Sequence, residues 1–404
     1  MIPGYRLLIS ALLLIPWGLN AQPLDWQEID DEFDLPDGLR FFQHSFDDSN
    51  VEAWYLEVDP GNPDLAIEAI PGSDFQSISD YGDKDGVYAA INGGYFGGNQ
   101  VFSTVVTPDG EVPTRNISTL NRDGNTHHVT RSMFSLNEEF QPSVDWIFHH
   151  GLQVADIYRY DKPLPNAPGD PSESPPAVED GDIMGGLVTG IGGGPVLITD
   201  GEENITYDDE VFFGSGIQRD QNRARTAVGF TEDNRVIMMV VSESGASRGF
   251  SLSRLADELI ELGAVGAMNL DGGGSSQMTL DQQNILATGR SIPNVLAVVS
   301  GDEATSTEIQ NIDELPENIQ LHQNYPNPFN PVTFIPFSLD APSAVTITIY
   351  DMAGRKVKSV IENQNFSAGR NTVSLDASGL STGTYIYQLS TPEFTQSQMM
   401  TLIK

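Results

Sequence analysis

Residues 252–276 read LSRLADELIELGAVGAMNLDGGGSS, and this stretch sets a helix, a strand and a loop in succession. Leu252, Leu255, Ala256, Leu259 and Leu262 recur at helical spacing, so 252–262 is expected to be an amphipathic helix. Arg254, Asp257, Glu258 and Glu261 fall off its apolar face, and Gly263 is a natural stop. Residues 264–270 then form a short apolar strand that runs into Asp271, three glycines and two serines. A carboxylate at the end of a buried strand, followed by backbone this flexible, costs folding entropy. Successive N–H groups in such a loop can cradle an anion. A purely structural turn has little use for three glycines, so a site is expected here.

Residues 223–230, a four-residue turn at 231–234 and Val236–Val241 make a hairpin. Its second strand is apolar on both faces and belongs deep in a sheet. Arg225 opens the first strand and heads inward, so its guanidinium needs a carboxylate or a bound phosphate as partner. Glu243 emerges where the second strand ends. Two further apolar runs meet glycines: 87–91 leads into Asn92-Gly93-Gly94-Tyr95-Phe96, and Gly190-Ile191-Gly192-Gly193-Gly194-Pro195 precedes 196–198. Either pattern read alone is an ordinary tight turn or close backbone crossing. No Gly-Lys-Ser/Thr follows, so neither is a nucleotide-binding phosphate loop. Hairpins beside a helix–strand unit indicate an α+β fold, mixed and dominated by sheet with packed helices.

Composition narrows the functions. The chain of 404 residues has 20 basic and 57 acidic side chains, a formal net charge of −37, and no cysteine. Disulfides, a cysteine nucleophile and cysteine zinc sites are excluded, and nucleic acid is an unsuitable partner for so acidic a surface. The charge is unevenly placed. Residues 22–321 hold 52 acids and 14 bases, whereas 322–404 hold five of each. That step marks a separate C-terminal module.

At the N-terminus, Arg6, the apolar run 7–14 and a small residue, Ala21, describe a secretory signal peptide over 1–21. At the other end, short alternating strands separated by turn residues indicate a small C-terminal β-sandwich. Asn324-Tyr325-Pro326-Asn327-Pro328-Phe329-Asn330-Pro331 opens that module. Tyr350-Asp351-Met352-Ala353-Gly354-Arg355 and Leu380-Ser381-Thr382-Gly383-Thr384-Tyr385 follow within it. Over 322–404 the chain closely resembles the type A sorting domain of the type IX secretion system. The resemblance implies engagement of the outer-membrane secretion machinery, export to the surface or medium, usual removal of this domain, and a Bacteroidetes-like source. Residues 303–321 would be the linker.

Between these ends, 22–302 carries the chemistry. The Asn92-to-Phe96 run, Gly193-Gly194-Pro195, Arg225-Thr226-Ala227-Val228-Gly229, the 269–276 segment and Arg290-Ser291-Ile292-Pro293-Asn294 stand in one order. In that order they resemble the phosphodiester glycosidase family, with its core over about 80–300. The resemblance implies hydrolysis of the bond between a sugar's anomeric carbon and a phosphate oxygen, as in N-acetylglucosamine-1-phosphodiester alpha-N-acetylglucosaminidases. No sequence feature here defines an N-acetylglucosamine pocket. The expected substrate is therefore a sugar phosphodiester or phosphate-linked glycan.

A phosphate is a good leaving group. The protein must then neutralise it and bring a carboxylate to the oxocarbenium-like centre or its attacking water. Asp271 is the expected catalytic carboxylate, with Glu243 second. Arg225 and Arg290 are the expected phosphate clamps. Gly272, Gly273, Gly274, Ser275 and Ser276 would add donors, and Asn92, Gly93, Gly94 and Asn294 complete the expected binding set. His149-His150 is a poor metal motif, and the acidic run 200–210 lacks the EF-hand spacing. No metal or cofactor is expected, with a structural Ca²⁺ left open. The rival readings are a non-catalytic glycan binder and a phosphodiesterase that cuts P–O, for which two metals and clustered ligands would be wanted.

Overall fold

The computed structural model describes residues 23–44, 50–98, 100–243, 245, 247–301, 319–321, 324, 329, 331–352, 354–366, 369–392 and 394–403. The signal peptide, most of the linker and most of the Pro-rich joint lie outside the described residues. The chain divides into two compact units, Met1–Ala304 and Thr305–Lys404.

The first unit is built on three antiparallel sheets. The largest runs Gln27–Glu28, Leu39–His44, Ala53–Val58, Val236–Val241, Arg225–Thr231, Ala264–Asn269, Val196–Thr199, Glu202–Glu203. The hairpin read from sequence is present: Arg225 faces Val241 and Phe230 faces Val236 across the pair. On its other side Arg225–Thr231 pairs with Ala264–Asn269, with Ala227 opposite Asn269.

This sheet is covered on both faces, which explains why Val236–Val241 is apolar at every position. Ala227, Ile237, Met239 and Val241 face the helix Leu252–Glu261 through Leu252, Leu255, Ala256 and Leu259. Val228, Met238, Val240, Met268 and Leu270 face the other way, onto a core shared with Ala89, Ile91, Leu296 and Val298 and with Phe134 and Ile191. Those residues come from the other two sheets. One runs Gln283–Leu286, Met278–Leu280, Val87–Asn92, Ile292–Ser300, Leu65–Gln76. The other runs Asp182–Ile183, Ile157–Tyr160, Pro142–His149, Arg131–Asn137, Leu187–Gly192, Val105–Val106.

Local chemistry sets the helix ends. Ser251 Oγ accepts from Arg254 N at 3.1 Å, satisfying an orphan donor of the first turn. Gly263 turns the chain at φ +88°, the left-handed conformation that ends many helices. Glu258 departs from the sequence expectation. It is 1% exposed because the segment around Leu24 and Trp26 covers it. Its Oε1 accepts from Leu24 N at 3.0 Å and Trp26 Nε1 at 2.9 Å, and its Oε2 pairs with Arg254 Nη2 at 2.9 Å.

The second unit is a β-sandwich. Gln320–Leu321, Val332–Leu339 and Gly369–Asp376 form one sheet, and Lys356–Phe366, Ser343–Asp351, Gly383–Ser390 and Thr395–Leu402 the other. Ile335, Phe337, Ile347, Ile349, Tyr387 and Leu389 fill the space between them. Phe329 is buried there as well, held by backbone bonds to Thr401 and Ile403.

Candidate active site

The strand Ala264–Asn269 delivers Leu270 and Asp271 to the edge of the sheet, where three loops are stitched together. Leu270 N donates to Thr226 O at 2.8 Å, and Asp271 N to Gly93 O at 3.1 Å. Gly93 N donates to Asn294 O at 3.0 Å, and Gly94 N to Asn294 Oδ1 at 2.9 Å. A β-carbon on Gly93 would collide with Asn294 Oδ1, and one on Gly94 with Gly192 O. These two glycines answer to close approach rather than to positive φ.

Above the stitched loops lies a cleft of about 780 Å³. Arg122, Arg131, Arg223, Arg225 and Arg290 line it, against two carboxylates, Asp271 and Glu243. Twelve arginines lie between residues 22 and 321, so five of them gather at one place in a strongly acidic chain. Tyr95, Phe96, Phe102 and Phe212 add aromatic faces.

Asp271 occupies the floor. Loss of water pushes its carboxyl up from the usual 3.8 to about 6, against the lowering effects of a Ser275 hydroxyl bond, the Gly272 N–H and the nearby Arg290 charge. Gly272 N reaches Asp271 Oδ1 at 2.9 Å. Arg290 Nη1 donates to Ser275 Oγ at 3.2 Å, and its guanidinium stands 5.5 Å over the Phe96 ring. Gln277 Nε2 holds the Arg290 carbonyl at 3.0 Å.

Other expected site residues are placed differently. Asn92 does not line the cleft. Its Oδ1 accepts from Thr226 Oγ1 at 2.7 Å and Gln277 N at 3.0 Å, and its Nδ2 donates to Asp271 O at 2.7 Å. It is a strut under Asp271 with both amide atoms committed. The loop N–H groups are also largely taken: Gly272 by Asp271 Oδ1, Gly273 by Ala224 O, Ser275 by Gly272 O and Ser276 by Gly273 O. Of the five, Gly274 N alone has no such bond, so this is not an open anion nest. Only Gly273 of the three glycines has positive φ, at +60°. Gly272, Gly273 and Gly274 border the cleft, whereas Gly93, Gly94, Ser275, Ser276 and Asn294 lie behind it.

Arg225 lines the cleft without a carboxylate partner. Its Nε donates to Phe250 O at 2.8 Å, and its Nη2 to Gln218 O at 2.6 Å and Gln221 O at 2.9 Å. Burial lowers its pKa. Glu243 sits at the rim, where Oε1 meets Arg223 Nη1 and Oε2 meets Ala224 N, both at 3.0 Å.

Tyr95 and Arg131 complete the wall, and Glu210 lies behind it. Tyr95 Oη donates to Gly194 O at 2.6 Å and accepts from Asn269 Nδ2 at 2.7 Å. Arg131 lies 3.8 Å from the Phe212 ring centroid. It opens an apolar strand just as Arg225 does, so the same reading would have singled it out. Glu210, in the acidic run, is buried among four donors: Val196 N and Thr206 Oγ1 on Oε1, and Ser132 N and Ser132 Oγ on Oε2. Among the described residues, no group of three or more His, Asp or Glu gathers as a metal centre would require.

Residues 85–299 match the phosphodiester glycosidase family. The chain belongs to that family. Residues 323–403 match the secretion system C-terminal sorting domain, which directs export across the outer membrane to the cell surface or the medium. No curated protein matches the sequence. Among solved structures, the chain is similar to a hypothetical protein from Synechocystis, at 18% identity and TM-score 0.46. The match covers 69% of this chain and 64% of that one. It is also similar to the catalytic domain of zebrafish N-acetylglucosamine-1-phosphodiester alpha-N-acetylglucosaminidase, auto-inhibited by its pro-peptide, at 20% identity and TM-score 0.44. That match covers 68% of this chain and 87% of the zebrafish one.

Proposed function

We propose that the cleft hydrolyses the glycosidic bond of a sugar-1-phosphodiester, outside the cell. The observation that carries this reading is the gathering of five arginines around Asp271 in a chain of net charge −37. Such a cleft selects an anion that the rest of the surface repels.

In the proposed reaction the bond from the anomeric carbon to the phosphate oxygen breaks, and the phosphomonoester leaves with the electron pair. Arginines stabilise the charge that develops on it. Water oxygen becomes bonded to the anomeric carbon, and its proton passes to Asp271 or, if Asp271 first attacks the carbon, is released when water displaces it. Either role requires Asp271 ionised, which a pKa of about 6 allows at neutral pH. Glu243, held by Arg223 and Ala224 N, is the second carboxylate. The aromatic rings offer apolar faces to the sugar. Water and these side chains suffice for the proposed step without a cofactor.

Hydrolysis in ¹⁸O-water tests this. Label in the released sugar supports the glycosidase. Label in the phosphate means P–O cleavage, and absence of product from a panel of sugar-1-phosphodiesters means a binding protein.

A further inference from the structure

The five arginines differ in what they have left to offer a ligand. Arg225 gives Nε and Nη2 to three backbone carbonyls. Arg223 is divided among Gln218, Gln221 and Glu243. Arg122 gives Nε to Phe213 O and Nη1 to Asn121 O. Arg290 is exposed and tied through Nη1 to Ser275.

Arg131 stands apart. It is 7% exposed, its guanidinium donates to no group among the described residues, and its Nε is enclosed there without a partner. Buried donors in folded proteins are nearly always paired, and an exception asks for a reason. Glu210 is the carboxylate that faces it electrostatically, yet both Glu210 oxygens are filled by other donors, and no ion pair forms. Burial pulls the Arg131 pKa down to about 10, so the group is still charged at neutral pH. The guanidinium carbon lies 3.8 Å from the Phe212 ring centroid, a cation–π contact that uses up no N–H donor.

The neighbouring wall carries an unpaired group of opposite sense among the described residues. Asn269 is 1% exposed and lines the same cleft, and its Oδ1 is a buried acceptor with no donor. Tyr95 joins the two: its hydroxyl is bonded to Asn269 Nδ2, and its ring lies 5.4 Å from that of Phe212.

We propose that Arg131 is the principal seat of the substrate's phosphate. This rests on the proposed sugar-phosphodiester reading and shifts the clamp from Arg225 to Arg131. A guanidinium edge matches the two non-bridging oxygens of a phosphodiester. Bound phosphate would pair the charge and engage the Nη donors rather than the enclosed Nε, which is why the arginine can be retained at a buried position.

The test pairs equilibrium binding with turnover on the full chain. Dimethyl phosphate, a phosphodiester without a sugar, is titrated into wild type and Arg131→Gln by calorimetry. The expected result is saturable binding to wild type, at least tenfold weaker in the variant, with a melting temperature unchanged or raised because a buried unpaired cation is gone. On a sugar-1-phosphodiester, kcat/KM should fall about 10²–10³-fold. Binding weakened less than tenfold, or no saturable binding to wild type, overturns the proposal. If Arg131→Gln fails to fold, Arg131→Lys keeps the charge without the fork and should bind at least tenfold more weakly, and wild-type affinity there overturns it equally. A wild type that seats dimethyl phosphate through Arg131 but cleaves no sugar phosphodiester would retire the reaction and leave the seat. Cleavage untouched by Arg131→Gln would do the reverse.

Discussion

Asp271→Asn separates the work of a carboxylate from the cost of holding one. In the folded protein the Asp271 carboxyl sits at about 6 instead of the usual 3.8. A group whose folded pKa is raised adds no penalty below its unfolded value, and stability is lost as pH rises through the folded value. For Asp271 that window runs from about pH 4 to pH 6, and the full lift corresponds to about 3 kcal/mol by pH 7–8. Asn keeps the shape and can still accept from Gly272 N, so it removes most of that penalty. At roughly 2 °C per kcal/mol for a unit of this size, Asp271→Asn should melt about 5 °C higher at pH 8, with the gap closing toward pH 5. Its kcat should fall by about 10³-fold or more while substrate binding is kept. In the wild type, kcat/KM should rise with pH through about 6. Calorimetric melts across pH 5–8 and steady-state kinetics on the purified variant supply both readouts. A variant that melts lower at pH 8 would refute the desolvation argument. A rate within tenfold of wild type would remove Asp271 as base or nucleophile.

Glu243→Gln should cost less than Asp271→Asn, about tenfold in kcat/KM, since Gln can still accept from Ala224 N; a dead Glu243→Gln beside an active Asp271→Asn would exchange their roles. Arg225→Ala should lower stability by about 2–4 kcal/mol in urea unfolding, because three carbonyls each lose a bond, of which Phe250 O alone keeps another donor, Arg223 N; unchanged stability with lost activity would return the clamp to Arg225. Intact-mass measurement of protein from culture medium should show a chain that begins near Gln22 and lacks everything after about residue 310; a C-terminus at Lys404 on secreted material would reject that processing.

Much of this was readable because local chemistry and tertiary context agree. The helix from Leu252, its glycine stop and the following strand are present within a residue of where spacing places them. Val236–Val241 is buried on both sides, as its unbroken apolar run requires. The place of the cleft was legible at Asp271, where three glycines advertise unusual backbone. It was less legible at Asn92, whose amide is as well suited to propping a loop as to holding a sugar. The loop N–H groups read as anion donors only until their carbonyl partners, Ala224 and Gly272 among them, are in view. Arg131, Asn269 and Glu210 come from three separate segments, and their meeting depends on how the sheets pack. Glu258 was misread for a related reason: its cover, Leu24 and Trp26, lies 232–234 residues away.

That distance also bears on when the glycosidase domain can fold. Its earliest segment waits for Glu258, and Ala53–Val58 waits for Val236–Val241. The final strand, Ile292–Ser300, does not add to an edge but slots between Leu65–Gln76 and Val87–Asn92. A chain cut short before residue 300 is therefore missing the middle of a sheet rather than its margin. Long-range closure of this kind is slow and cooperative. The sorting domain begins some twenty residues later, at 323. A nascent chain that has reached the export address already carries the strand that completes the fold, and one that stops short of that strand lacks the address as well.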